Sequence, residues 1–307
     1  MSETAAAEPA LRRRRVSPWV RRRATAARHW ATFRESRRGV VGLAILLLFV
    51  ALAVASPLLV SSDDLDPSLA AGPLHAPPQA GYPLGTDNFG RSVLDLLVAG
   101  ARVSLTVGVT AAIVAMAIGA VVGISAGYWG GTRVDTLLNA LTNWFLVIPW
   151  LALAIALATV LGASLINVIV VIGITSWAST ARLVRAQALT VRERTYVERA
   201  RAIGASDYHV ITRHILPNVF PVLFANTILM VALAILSETT LAILGLSDPT
   251  ALSWGKTIEA SFSSGAATAG WWWWLLPPGI CIVLVTLAFT MVGYALDEVL
   301  SPRLRQR

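Results

Sequence analysis

Five long apolar stretches of this chain contain no Asp, Glu, Lys or Arg: residues 39–62, 103–132, 136–181, 215–237 and 260–296. A bilayer's hydrocarbon is about 30 Å thick and takes about 20 apolar residues to cross as a helix, so each stretch is long enough to span. The 46-residue run 136–181 holds two helices meeting at Gly162-Ala163-Ser164, which predicts six spans near 39–60, 103–127, 137–161, 165–181, 219–246 and 273–296. Transmembrane strands would alternate in polarity over about 10 residues, and these runs do not. The expected fold class is all-α, a polytopic membrane protein. Composition agrees, since 56% hydrophobic against 14% charged residues is too apolar for a soluble domain. The chain then divides into a basic segment 1–38, a first span 39–60, an external loop 61–102, a core 103–296 containing the other five spans and a loop at 182–218, and a tail 297–307.

Several chemistries fall away. The single cysteine, Cys281, lies in the last apolar run and reads as packing, and it rules out an intrachain disulfide. His29, His75, His209 and His214 fit no metal-ligand spacing. No GxxxxGK[ST] loop is present and Lys256 is the only lysine, so the chain is expected to hold no cofactor and to need a partner for ATP-driven work.

The positive residues set the expected orientation. Eleven arginines precede the first span, at Arg12 to Arg15, Arg21 to Arg23, Arg28, Arg34, Arg37 and Arg38. That places the N-terminus in the cytoplasm. Threading six spans puts twenty-two of the twenty-five Lys and Arg inside, leaving Arg91, Arg102 and Lys256 outside. Such a position-dependent charge favours a membrane over nucleic acid as the partner. A signal peptide would carry a shorter apolar region than 39–60. Residues 1–27 read as disordered and the arginines of 28–38 as lying on anionic headgroups.

The loop 182–218 is patterned as folded structure. Thr195-Tyr196-Val197-Glu198 has capping-box spacing, and a helix from there ends at Gly204, which can take the left-handed C′ conformation. Ser206 caps a second helix with Asp207 in its first turn, which is expected to stop before Pro217, and Asn218 then caps span five, with Pro221 in its first turn. Tyr196, Ala200 and Ile203 share one face and Tyr208, Ile211 and Ile215 another, each a small apolar ridge that either packs on the protein's own inner surface or meets a partner.

The run Glu198-Arg199-Ala200-x-x-x-Gly204, with Pro217 thirteen residues after the glycine, resembles the EAA loop of permease subunits of ATP-binding-cassette importers. Arg199 and His214 depart from that pattern, standing where the family usually has alanine and often isoleucine. The runs Leu84-Gly85-Thr86-Asp87-Asn88-Phe89-Gly90-Arg91, Gly100-Ala101-Arg102-Val103-Ser104-Leu105, Glu238-Thr239-Thr240-Leu241, Leu244-Gly245-Leu246, Ser253-Trp254-Gly255 and Ser301-Pro302-Arg303-Leu304 are similar to signatures of the second permease of dipeptide and oligopeptide importers. Ser92 stands where that family often has aspartate. The resemblance implies a type I importer permease of the bacterial cytoplasmic membrane with both termini cytoplasmic. It implies a homologous second permease, two ATPase subunits that bind ATP and Mg, and an extracytoplasmic substrate-binding protein as partners. Coupling residues would be Tyr196, Glu198, Ala200, Ile203, Gly204, Ala205, Asp207 and Pro217. Peptide is the expected cargo, with nickel complexes, glutathione or haem as the alternative.

Glu238, Asn226 and Trp254 are candidates for the substrate path or an external gate. Glu238 lies about 30 Å of helix from Asn218 at about 1.5 Å per residue, and either lines the external mouth or anchors the segment after span five. Asn139, Asn143, Asn167 and Asn226 read first as helix-to-helix hydrogen bonds, Trp271 to Trp274 as an interfacial belt, and Pro149 as a kink in span three. A proton-driven transporter would carry ionisable groups near mid-membrane, where this sequence has none, and a membrane enzyme would need a base inside a span.

Overall fold

The computed structural model describes residue 27 and residues 29–300. Arg12 to Arg15, Arg21 to Arg23 and Arg28, the expected disorder of 1–27 except at Ala27, which is helical, and the Ser301-Pro302-Arg303-Leu304 run lie outside them. The described residues form helices α1 (Arg37–Leu59), α2 (Ser62–Leu65), α3 (Val93–Tyr128), α4 (Arg133–Val147), α5 (Trp150–Leu161), α6 (Leu165–Arg192), α7 (Thr195–Ala202), α8 (Asp207–Val210), α9 (Leu216–Ile243), α10 (Trp254–Ser263), α11 (Ala266–Ala269) and α12 (Trp272–Leu300), with a π-turn at Ile211–Ile215 between α8 and α9.

Five helical stretches are long and apolar enough to cross a membrane: α1, α3, α6, the continuous run Asp207–Ile243, and α12. The expected third span is no straight helix. It is broken into α4 and α5, which meet at 92°, and the pair makes a sixth crossing if counted as one. Pro149 lacks the N–H that would continue α4, and its extended backbone turns the chain. Boundaries also shift. The second span begins at Val93, ten residues before the expected start, the fourth runs on to Arg192, and α12 continues to Leu300 instead of yielding to a tail at 297.

The most extensive contact in the bundle is α3 against α6. Gly119, Gly123 and Gly127 recur every four residues on α3 and face α6, and a Cβ on Gly123 would lie 2.6 Å from the Ala181 carbonyl oxygen. Without side chains in between, the two backbones approach as small-xxx-small helix pairs do in membranes. Around this pair, α1, α9, α10 and α12 bury a second core containing Leu46, Phe49, Leu97, Ile235, Trp254, Trp274 and Val285.

Residues 60–92 fold into a cap at the start of α3. Asp87 is buried; its Oδ2 accepts from Arg91 Nε and Nη2 at 2.7 Å each, and its Oδ1 accepts the amides of Phe89 and Arg91. Arg91 also reaches the Leu65 carbonyl at 3.2 Å. Ser92 caps α3 by accepting the Asp95 amide, which gives that position a structural use independent of charge. The tryptophans do not form a simple belt. Only Trp272 is well exposed, while Trp271 stacks on His75 at 3.8 Å, Trp273 lies against Gly85 and Trp274 is buried, because the cap sits over the start of α12. On the same end Asp248 accepts the Leu165 amide at 3.3 Å, and bonds from the Thr250 hydroxyl and amide hold its carboxyl below the usual carboxylate range.

Two glycine substitutions should separate packing from helix propensity. Gly123→Leu forces α3 and α6 apart and should lower stability by about 1–3 kcal/mol. Gly279 has nothing within 4 Å of a would-be Cβ, so Gly279→Ala should be neutral or slightly stabilising. Thermal unfolding of the purified protein in detergent measures both; equal losses would mean that the α3–α6 approach is not limiting.

Candidate functional site

The cap and the 195–206 segment lie at opposite ends of α3, whose 36 residues rise about 54 Å. The segment is an elbow. α7 begins at Thr195 with Arg194 as its N-cap, and no side chain caps it. The expected Thr195/Glu198 capping box is therefore not formed: the helix starts one residue early, and the Glu198 amide bonds to the Arg194 carbonyl. The C-terminus forms as the sequence suggests. Gly204 has φ +87°, its amide bonds to Arg201 O and the Ala205 amide to Ala200 O, the paired bonds of a Schellman turn.

Ser206 then accepts the His209 amide and starts α8. This helix does not stop before Pro217. It widens into the π-turn, where Leu216 N–H bonds to Ile211 O, and runs on as α9. A proline ring collides with a regular preceding turn, and the wider turn removes the collision. Asn218 is accordingly no cap, and its amide donates to the His214 carbonyl one turn back.

The elbow rests on a buried base. Val197 and Val210 are fully buried with Tyr128, Val184, Ala188, Val191 and Ile215, and Ala205 and Ile211 pack against this cluster. Ile215 thus belongs to the protein's own interior and not to an outer ridge, because the uninterrupted helix turns that face toward α6. What remains outside is Ile203 at 86% exposure and Tyr208 at 77%, beside the partly exposed Tyr196 and the surface residue Glu198. Asp207 does more than favour a helix start: it accepts the Tyr128 hydroxyl, and Arg201 lies 4.7 Å above the Tyr128 ring. That contact spans 79 residues and has no local signature. Val197 could have been found, since Val184, Ala188 and Val191 already mark an apolar face leading to it.

Two of the three candidates for the substrate path or an external gate, Glu238 and Trp254, lie close together at the other end, inside the chain. Glu238 is 2% exposed and its Oε1 accepts the Ser253 hydroxyl at 2.6 Å. Ser253 Oγ in turn caps α10 by accepting the Lys256 amide. Trp254 is fully buried; its backbone amide bonds to Ser104 Oγ at 3.1 Å and its indole to Leu97 O at 2.9 Å. Three separated runs of the sequence, around Ser104, Glu238 and Ser253-Trp254-Gly255, converge there. Neither Glu238 nor Trp254 lines an opening of this chain, because both are buried: Trp254 is bonded to α3, and of the Glu238 oxygens Oε1 is bonded to Ser253 while Oε2 is enclosed without a hydrogen-bond partner among the described residues.

Asn226 is placed differently. Two adjoining hollows of about 480 and 650 Å³ share Ser179, Met230 and Leu233, and together make a groove along α6, α9 and α12 from the α4–α5 break toward Tyr294. Asn226 lines it while donating to Thr180 Oγ1 at 3.1 Å. Thr175, Ser176, Ser179, Ser237, Thr286, Thr290 and Tyr294 bring hydroxyls to these two hollows, which no charged side chain lines; a further hollow that shares Leu287, Thr290 and Tyr294 with them carries Arg38, Asp297 and Glu298. Of the other asparagines, Asn143 accepts from Arg182 at 3.0 Å and Asn167 donates to Leu161 O and Gly162 O. Among the described residues no group of His, Cys, Asp and Glu could hold a metal ion.

Residues 119–306, more than half of the chain, match the family described as binding-protein-dependent transport system inner membrane component. The chain belongs to this family. Residues 26–78 match the N-terminal TM domain of oligopeptide transport permease C. A peptide transport system permease protein of Brucella suis biovar 1 is 39% identical over 266 residues, 86% of this chain and 88% of that one. The dipeptide transport system permease protein DppC of Bacillus subtilis is 34% identical over 278 residues, 90% of this chain and 85% of that one. The fold is that of a chain in the inward-facing MetNI methionine ABC transporter, with a TM-score of 0.54 at 19% identity over 69% of this chain and 97% of that one. The protein is thus a multi-pass inner-membrane permease of an ATP-binding-cassette importer, a non-catalytic component that works with ATPase and permease partners.

The permease's internal anchor should report as a stability element. Ser253→Ala removes the α10 cap and leaves Glu238 without its donor, at about 1–3 kcal/mol in total. Glu238→Ala should cost a similar amount, and the double variant should cost less than the two singles together. Thermal unfolding of the four proteins closes this cycle; strict additivity would mean that the 2.6 Å bond contributes nothing.

Proposed function

We propose that the permease forms half of the translocation pathway of an ATP-driven importer of dipeptides and oligopeptides. Its partner in the membrane is a homologous second permease. Two ATPase subunits binding ATP and Mg drive it from the cytoplasm, and an extracytoplasmic substrate-binding protein delivers cargo. Both termini and the elbow face the cytoplasm, in keeping with the twenty-two arginines that the six-crossing thread places on that side. Two of the three remaining cations have acidic partners nearby: Arg91 pairs with Asp87, and Lys256 with Glu259 at 2.6 Å.

The observation that carries this reading is the elbow. A Schellman turn presents Ile203 and Tyr208 to solvent on a base held by Val197 and Val210, so the ridge is rigid yet uncovered within this chain. A helix–turn–helix of this size with an exposed apolar tip suits a groove in a cytoplasmic subunit, and Arg199, Arg201 and Arg213 around it suit an acidic rim. Peptide cargo is supported by the names of the relatives. The groove suits a peptide path, with hydroxyls and one amide for a peptide backbone, and charged side chains enter only in the adjoining hollow at Arg38, Asp297 and Glu298.

Reconstitution of the permease with its partners in liposomes tests the reading: uptake of dipeptide should require ATP, both ATPases and the binding protein. Uptake by this chain alone under a pH gradient would replace the reading, and ATP-driven uptake of glutathione or a nickel complex in preference to peptide would change the cargo. Ile203→Cys, made with Cys281→Ser, should crosslink to the ATPase with an efficiency that changes on ATP binding. Labelling of that thiol by an impermeant reagent added only outside intact cells would invert the topology.

A further inference from the structure

The break between α4 and α5 borders the groove, which is lined on that side by the residues from Phe145 to Trp150. Among the described residues α4 itself is thinly packed. Only Asp135 and Thr142 of its fifteen residues are buried, and Val134, Leu137, Leu141 and Trp144 are exposed. Its attachment to α6 joins one apolar contact, Phe145 on Trp177, Ala178 and Ala181, to a set of polar bonds. Asp135 takes a two-pronged bond from Arg185, Nε to Oδ1 at 2.7 Å and Nη2 to Oδ2 at 2.8 Å, and also accepts the Gly131 amide at 3.0 Å. Arg192 holds the preceding turn by a bond to Gly130 O at 2.7 Å, and Arg182 bonds to Asn143 farther along.

α6 is equally committed to the elbow. Two residues, Glu193 and Arg194, separate its end from α7, and Val184, Ala188 and Val191 share the cluster that holds Val197. A displacement of the elbow therefore moves the end of α6 that carries Arg185. A bidentate guanidinium–carboxylate pair fixes angle as well as distance, which a single bond or an apolar contact does not. α4 must follow α6 at this end, while at its other end the chain turns through 92° at a proline.

We propose that Asp135 and Arg185 are positioning residues for transport: they carry displacement of the elbow to the α4–α5 break and so set the width of the groove beside it. This rests on the elbow and groove roles proposed above. The pair touches neither cargo nor nucleotide. Its effect is on how much uptake each ATP turnover yields.

The test uses the complete importer in liposomes, with uptake and binding-protein-stimulated ATP hydrolysis measured in the same preparation. Asp135→Asn and Arg185→Lys each remove the two-pronged bond and should lower uptake per ATP hydrolysed by about tenfold. Hydrolysis itself should stay within about twofold of the unaltered importer, and the double variant should be no worse than the poorer single. A pair that serves folding alone would lower uptake and hydrolysis in proportion, leaving the ratio unchanged, and that result overturns the proposal. So does an unchanged ratio with full activity. Asp135→Asn leaves the partly exposed Arg185 guanidinium without its carboxylate, so if that variant fails to insert, Arg185→Lys, which keeps the charge but not the fork, decides alone. Failure of the unaltered importer to take up peptide with ATP would instead sink the functional reading on which the pair depends.

Discussion

The close approach of α3 to α6 is the contact on which the other arrangements hang. In hydrocarbon there is no water to drive apolar faces together, so two helices gain stability by fitting backbone to backbone. Gly119, Gly123 and Gly127 permit this over the half of α3 nearest the elbow. The consequence is a stiff pair with one end in the cap and the other in the elbow base, where Tyr128 of α3 and Val184 and Ala188 of α6 meet Val197 and Val210. The elbow is not a loose loop tethered at two points. It is seated on the end of the most extensively packed helix pair in the molecule, and α9 leaves from it as a continuation of the same helix.

The second organising feature is the polar anchor at the far end. A buried carboxylate in a membrane helix is costly without a partner, and Glu238 has the Ser253 hydroxyl. The same serine starts α10, and the tryptophan after it is tied to α3 by two bonds. One short segment therefore fixes α3, α9 and α10 relative to one another. Gly255 is part of this: a Cβ there would lie 2.8 Å from the Thr239 backbone and 3.2 Å from Glu238 Oε2. With the elbow base at one end and this anchor at the other, α3 and α9 are held at both ends, whereas α4 rests on α3 and α6, and α5 chiefly on α6.

Much of the fold was legible because charge is so scarce. Arg38, Asp63, Arg102, Arg133, Arg182, Arg213 and Glu238 bracket apolar runs, and a helix is the only open structure that satisfies its own backbone in lipid. The helix ends were less legible, because α3 and α6 extend beyond the apolar runs and carry Asp95, Arg102, Arg185 and Arg192 within them. Gly204 and Ser206 were legible since turn and cap chemistry is local. Thr195 and Pro217 misled for the same reason. A capping box and a helix stop are local preferences, and here an early helix start and a π-turn satisfied the backbone in another way. The anchor was visible only as three unrelated runs, for the Ser104–Trp254 bond joins residues 150 positions apart.

The broken span also explains where the groove lies. A helix that ends within the membrane leaves carbonyls at its C-terminus and amides at the next N-terminus without helical partners. Irregular backbone at membrane depth is tolerated where protein covers it or where it lines a wet cavity. At the Ile148-Pro149 break, Trp150 is pinned to Thr175 by a 3.0 Å bond, and Ser176, Ser179 and Ser237 line the hollow beside it. Hydroxyls already bonded to their own helices, as Ser237 is to Leu233 O, can still accept from a ligand or water. A straight third span would need no such surroundings. The break and the groove's polarity are thus one requirement met from two sides, which is the physical support for the pathway proposed along this face.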